Sequence, residues 1–220
     1  KIIIFIAFTT ISSSIEVEFS LENSHVSVES QQNRPFIVWR VPIGCDYSGF
    51  FIEVLNFLIG LDNIIKNGDE LLHLDIGICS PKFLNTLAPS EAKLIHKLQS
   101  NYIKRYTANP AMIDWTNTIL IHHKLPNNPF PTFSRLNRPK IMIGRVMSES
   151  TLLPQHEIEY LDKNNVDYIW VPTKFHETAY INHGINADRL FVINEPMTFH
   201  HYFVSRNSAY SNNKMNALPT

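Results

Sequence analysis

The amino-acid sequence predicts an α/β protein in which a parallel β-sheet carries helices on both faces. Three observations point there. Residues 139–196 alternate strand, helix, strand, helix and strand, with loop chemistry at each junction. The same alternation begins at Phe36 and runs to His122. The clearest strand, Ile141–Val146, is an apolar run of the kind buried inside a sheet.

In chain order, Phe36–Val41 is the first strand and Pro42–Gly49 a turn-rich loop beyond it. Phe50–Leu61 is apolar nearly all round, which predicts a helix covered on more than one side, and Asn67-Gly68-Asp69 stops it. Leu71–Cys79 supplies a second strand. Pro89-Ser90-Glu91 opens a helix in which Leu94, Ile95, Leu98, Tyr102 and Ile103 form one apolar face, and Asn109-Pro110 ends it. Thr118–His122 is the third strand, and Pro126, Pro129 and Pro131 exclude regular structure from the loop that follows. A strand at 140–147, a helix from Pro154 to about Asn164 and a strand over Asp167–Val171 come next. Thr173 is the N-cap and Gly184 the C-cap of a further helix, and Leu190–Asn194 closes the sheet.

Composition narrows the partners. The chain has 220 residues, of which 44% are hydrophobic, enough for a real core. Its 19 basic and 20 acidic side chains leave a formal charge of -1, which argues against nucleic acid and anionic membrane surfaces and for small or neutral polar partners. Lys1, the apolar run Ile2–Phe8, and then Thr and Ser follow the order of a secretory signal, in a run too short for a firm transmembrane span. Residues 1–14 are therefore expected to be a signal-like segment and 15–35 a polar linker. That places the protein in the secretory lumen or outside the cell; the alternative is a cytoplasmic protein whose apolar run is an ordinary strand. The absence of an initiator Met suggests a processed or partial sequence. Residues 36–196 form the domain, and 197–220 a tail or the start of an interdomain linker. Cys45 and Cys79 each follow a strand and could approach one another, and a bridge is possible in an oxidising lumen; two buried free thiols are the expected arrangement.

Candidate chemistry gathers at strand ends, where clefts of parallel sheets open. Gly44 and Gly49 stand at the first strand-to-helix turn, but their spacing is not G-x-G-x-x-G, and no G-x-x-x-x-G-K-[ST] loop is present. Dehydrogenase and phosphate-loop ATPase readings therefore lose their main support. Gly49 either opens the helix N-terminus to a ligand or only turns the chain. Ser48-Gly49 invites an esterase reading, but position 46 is Asp where a nucleophile elbow needs Gly. His122-His123 and His200-His201 are adjacent pairs whose side chains leave a strand on opposite faces, so no metal is expected there. His122 is a candidate catalytic group for proton transfer or for hydrogen bonding a sugar hydroxyl; equally, it satisfies loop backbone groups. Arg145 either pairs with Glu149 or neutralises a phosphate, and Glu149 either accepts from ligand hydroxyls or is merely solvated. Thr173 can cap its helix and face the cleft at once.

Several segments together carry a family resemblance. Gly144–Pro154 resembles a strand and loop ending in E-[ST]-x-x-x-P, and Val166–Phe175 resembles D-x-[IV]-W-V-P-[ST]-x-F. Gly184-Ile185-Asn186 followed by Leu190–Ile193 resembles G-[VI]-x…[IV]-x-V-[IV], and Pro42–Gly49 is similar to an acceptor-side loop. This ordered set resembles the N-terminal, Rossmann-like domain of GT-B-fold, family 4-like (group 1) glycosyltransferases, over about residues 36–196. The resemblance implies two Rossmann-like domains facing each other, the first mainly holding a sugar-containing acceptor and the second a nucleotide-sugar donor. It further implies metal-independent, usually retaining hexosyl transfer with no cofactor beyond the donor substrate. Gly44, Tyr47, Ser48, Gly49, His122, Arg145, Glu149 and Thr173 would line the acceptor side. No counterpart of the C-terminal donor-binding domain, with its basic residue and paired glutamates, follows Pro196, so the chain alone is expected to bind acceptor weakly and to be inactive. The alternative is a non-catalytic sugar-binding or interaction module on the same fold.

Overall fold

The computed structural model describes residues 34–42, 44–45, 48–65, 71–77, 79–107, 115–123, 130–131, 133–134, 136–148, 150–161 and 165–196. Eleven regular elements follow in order: Phe36–Val41 (β1), Gly49–Ile64 (α1), Leu72–Ile76 (β2), Pro81–Leu84 (α2), Pro89–Tyr102 (α3), Thr118–His123 (β3), Ile141–Arg145 (β4), Gln155–Tyr160 (α4), Tyr168–Val171 (β5), Lys174–Asn182 (α5) and Leu190–Val192 (β6). All six strands run parallel in one sheet ordered β2-β1-β3-β4-β5-β6. This is the Rossmann-like α/β class that the alternation predicts. The predicted signal-like segment, the linker and the tail lie outside the described residues.

Alternate residues of each strand feed two cores, as the pleat requires. On one face, Trp39, Val41, Leu74, Ile121, Ile143 and Trp170 meet Phe51, Val54, Leu55 and Leu58 of α1. On the other, Val38, Leu120, Met142, Ile169 and Val171 meet Tyr180 of α5 and Leu161 after α4. Full burial of a Leu or Phe contributes roughly 1.5–3 kcal/mol, so α1 is held mainly by its apolar side chains rather than by its own propensity. α3 lies along β2 and helps close that edge: Asn101 Nδ2 donates to Leu72 O at 3.3 Å. Its carboxyl end continues as a π-helical turn, Ile103–Thr107.

Local signals set most boundaries. α5 starts at Thr173, whose hydroxyl accepts from His176 N, and stops at Gly184, which has φ +88°. There Gly184 N donates to Ile181 O at 2.9 Å and Ile185 N to Tyr180 O at 3.1 Å, the paired hydrogen bonds of a Schellman motif. Asp167, just before β5, accepts from Met142 N through Oδ2 at 2.7 Å and pairs through Oδ1 with Arg138 Nη2 at 3.1 Å. Three expectations are corrected. α2 is an extra element, opened by a Ser80 cap and Pro81 and too short to show a period. α4 starts one residue later than expected, because Pro154 is extended (ψ 141°) and acts as its N-cap. Cys45 and Cys79 are bonded rather than free: their Cα atoms are 5.0 Å apart because β1 and β2 are neighbours and bring both loops to one edge. In the chain-entropy view, closing a loop of this size stabilises by about 3–4 kcal/mol.

Gly144 in β4 has a packing reason. A Cβ there would stand 2.7 Å from Cζ of the buried Phe130. Gly144→Ala is expected to cost about 1–3 kcal/mol of unfolding free energy in urea, as overpacking does, and Phe130→Leu in the same chain should recover part of that loss.

Candidate functional site

The sheet order places a topological switch between β1 and β3, and the loops after β1, β4, β5 and β6 all leave the same carboxyl edge. After β1, Gly44 adopts φ +86°, a left-handed conformation that favours glycine, and Cys45 is tied to Cys79. Ser48 is the N-cap of α1; its Oγ accepts from Phe51 N at 3.3 Å. Gly49 opens the helix, and a Cβ there would meet nothing within 4 Å, so packing does not demand a glycine. Tyr47 and Glu149 lie outside the described residues.

β3 ends on two histidines that leave on opposite faces. His122 is buried beside Phe130, ring centroids 5.0 Å apart, in a row between Arg40 and Gly144. It is thus roofed by an aromatic ring rather than open to the cleft. His123 turns to the α1 face, where its Nε2 lies 3.2 Å from Glu53 Oε2 and its ring 4.2 Å from that of Phe50.

Arg145, the last residue of β4, is 1% exposed. Its Nε donates to Glu53 Oε1 at 2.9 Å, its Nη2 bonds to the same oxygen, and its Nη1 donates to Ile193 O at 2.8 Å. Among the described residues its partners are thus α1 and the chain after β6; the expected pairing with Glu149 falls on a residue outside them. A guanidinium this deeply buried needs a counter-charge at contact distance, and Glu53 supplies it. Burial alone would raise Glu53, but its hydrogen bond with His123 and the charge of Arg145 hold it below the ordinary carboxylate value. Burial drives His123 down, outweighing the pull of Glu53, so the imidazole stays neutral and Arg145 is the standing counter-charge. With Nε2–H directed to Glu53, His123 Nδ1 has no partner among the described residues.

Beside this buried group lies a more open one. Thr173 Oγ1 and His176 Nδ1 are 2.8 Å apart in the first turn of α5. His176 is lowered first by burial and then by the charge of Arg145, against a hydrogen bond from the ring to the Ser148 carbonyl. A neutral ring satisfies both contacts: Nδ1 accepts from the Thr173 hydroxyl and the other nitrogen donates to Ser148. Phe175, half exposed, stands edge-on to His176 at 5.4 Å. Ile193 N bonds to Val171 O at 2.8 Å, so Thr173 and Glu195 each lie two residues past that bond. The Glu195 carboxyl is raised by burial and by the neighbouring Glu53.

The sequence pointed to the loop glycines, Ser48, Thr173 and Arg145 at these strand ends, but not to Glu53, Asn56, His123, His176 or Glu195, which stand beside them. One signal was available: Glu53 and Asn56 are the only polar side chains in the otherwise apolar run Phe50–Leu61, three residues apart and therefore on one helix face. Comparison with known protein families, characterised proteins and solved structures finds no match for this chain. Among the described residues no helix is long and apolar enough to cross a membrane, and no three His, Cys, Asp or Glu side chains come together as metal ligands.

The charge cluster has a signed pH dependence. Glu53 is lowered from 4.5, so the unfolded chain takes up its proton first; its contribution to stability is complete above about pH 4.5 and is lost as pH falls through the lowered value. His123, lowered from 6.5, acts in the same sense at higher pH. Glu195, raised, opposes them: its contribution is complete below about pH 4.5 and is lost as pH rises through the raised value. Urea unfolding is expected to show stability falling from about pH 7 towards pH 4. Glu53→Gln should cost about 3–5 kcal/mol at neutral pH, because the buried guanidinium loses its counter-charge, and should lose less than the wild type on further acidification.

Proposed function

We propose that residues 36–196 are the acceptor-binding half of a GT-B glycosyltransferase that moves a hexosyl group from a nucleotide-sugar to an acceptor hydroxyl. The observation that carries this reading is the group at the carboxyl ends of β5 and β6. There a Thr hydroxyl, a neutral imidazole, a carboxylate and a half-exposed aromatic ring share one edge, in the segments whose sequence resembles that family. The Thr173 hydroxyl, oriented by His176, keeps a lone pair to accept from a polyol, the Glu195 carboxylate accepts from further hydroxyls, and an aromatic ring beside them suits the apolar face of a sugar.

In this reading Thr173 and His176 orient the acceptor, Glu195 accepts from its hydroxyls, and Gly44, Ser48 and Gly49 stand on the opposite lip of the cleft. Arg145 shapes the floor through Glu53 and does not touch the donor. A second Rossmann-like domain supplies the contacts to the donor phosphates, transfer is retaining and metal-independent, and the isolated chain is inactive. The Cys45–Cys79 bond and the signal-like order of residues 1–14 favour the secretory pathway.

Two measurements test this. In an NMR titration of the 220-residue chain with neutral oligosaccharides, amide shifts should concentrate at Thr173, Phe175, His176 and Glu195, and Thr173→Ala should weaken binding about fivefold, one hydrogen bond's worth. The full-length gene product should turn over a UDP- or GDP-hexose. Sugar binding without turnover by the full-length product would leave the non-catalytic module, and neither binding nor turnover would sink both readings.

A further inference from the structure

From these contacts we infer that helix α1 is a rail joining two ends of the carboxyl edge, so that the loop entering α1 and the segment leaving β6 loosen together. This inference stands on geometry alone and does not depend on sugar chemistry. Glu53 and Asn56 lie three residues apart on one buried face of α1. Glu53 holds Arg145, whose Nη1 donates to Ile193 O at 2.8 Å, and Asn56 Nδ2 donates to Pro196 O at 2.8 Å. Two points three residues apart on the helix therefore hold two carbonyls three residues apart on the exit segment.

Beyond the bond from Ile193 N to Val171 O, that segment has left the sheet, and α1 takes over as its support. At its other end, one turn before Glu53, α1 begins at the Ser48 cap, where Ser48 O accepts from Phe51 N at 3.1 Å and from Ile52 N at 3.2 Å. The rail is stiff between these points because Phe51, Val54, Leu55, Phe57 and Leu58 are completely buried. A helix so packed moves as a unit, so a shift at its N-terminus is passed to the carbonyls it holds. The coupling is reciprocal: whatever seats on Ser48 at the helix N-terminus biases the direction in which the chain leaves the sheet, and whatever pulls on residues 193–196 biases that N-terminus.

Hydrogen exchange on the 220-residue chain tests the rail with two mild variants, one at each end, that leave the buried ion pair intact. Asn56→Ala deletes the bond to Pro196 O, and Ser48→Ala deletes the cap. Loss of one hydrogen bond is expected to raise local exchange about threefold to tenfold. Under the inference, Asn56→Ala accelerates the Ile193 amide, bonded to Val171 O, and also Phe51 and Ile52. Ser48→Ala likewise accelerates both ends, while the amides of α5 stay unchanged in either variant. Acceleration confined to the mutated end would overturn the inference, as would an equal rise across α5, which signals general destabilisation instead.

Discussion

The carboxyl edge of this protein hangs on one buried ion pair. Arg145 ends the central strand β4, and Glu53 is the only charged side chain in the apolar stretch Phe50–Leu61 of α1. Neither is stable alone in that setting, since removing a charge from water costs several kcal/mol that only a close partner returns. Their bond therefore specifies how α1 lies on the sheet, in a way that the apolar contacts, which tolerate sliding, do not. A well-packed apolar pair could be equally stable, so the argument for keeping ions here concerns placement. The guanidinium also reaches the Ile193 carbonyl and the carboxylate also reaches His123, so one pair ties α1 to β3, β4 and the chain beyond β6.

From that pair follows the character of the surrounding edge. Burial, with the Arg145 charge adding to it, lowers His176; the His123 hydrogen bond and the Arg145 charge hold Glu53 down; burial and then Glu53 raise Glu195. The more open residues are then a hydroxyl, a neutral imidazole, a carboxylate with raised proton affinity and a phenyl ring. Such a set matches neutral polar ligands better than phosphates, the chemistry on which the proposed acceptor-side role rests. On the opposite sheet face Arg40 pairs with Asp75 across neighbouring strands, and the adjacent Tyr102 hydroxyl is pushed up to about 12, by burial and then by the Asp75 charge. There His122 lies in the same row under Phe130, with the sheet between it and its neighbour His123.

Elements with a local cause were legible before any coordinates. The parallel sheet followed from alternating strand and helix patterns, and Thr173 and Gly184 announced the ends of α5 through capping chemistry that needs only neighbouring residues. The opposite facing of His122 and His123 followed from the pleat alone. The four-residue α2 carried too short a pattern to be seen, and the Pro154 helix was drawn one residue early because proline suits both the cap and the first turn. At the site, Arg145 stood out at its strand end, but its partner Glu53 lies 92 residues away, beyond the reach of any local signal.

By itself the sequence determined the class of fold, the places where strands end and the residue types gathered there, because periodicity, capping and turn preferences act over a few residues. Tertiary structure alone decided which of those residues meet. It joined Cys45 to Cys79 through the pairing of β1 with β2, turned Arg145 inward to Glu53, and set Asn56 against Pro196, 140 residues further on. The reason is physical: a buried charge or amide takes whichever partner the packing brings within hydrogen-bond reach, and sequence distance has no bearing on that choice.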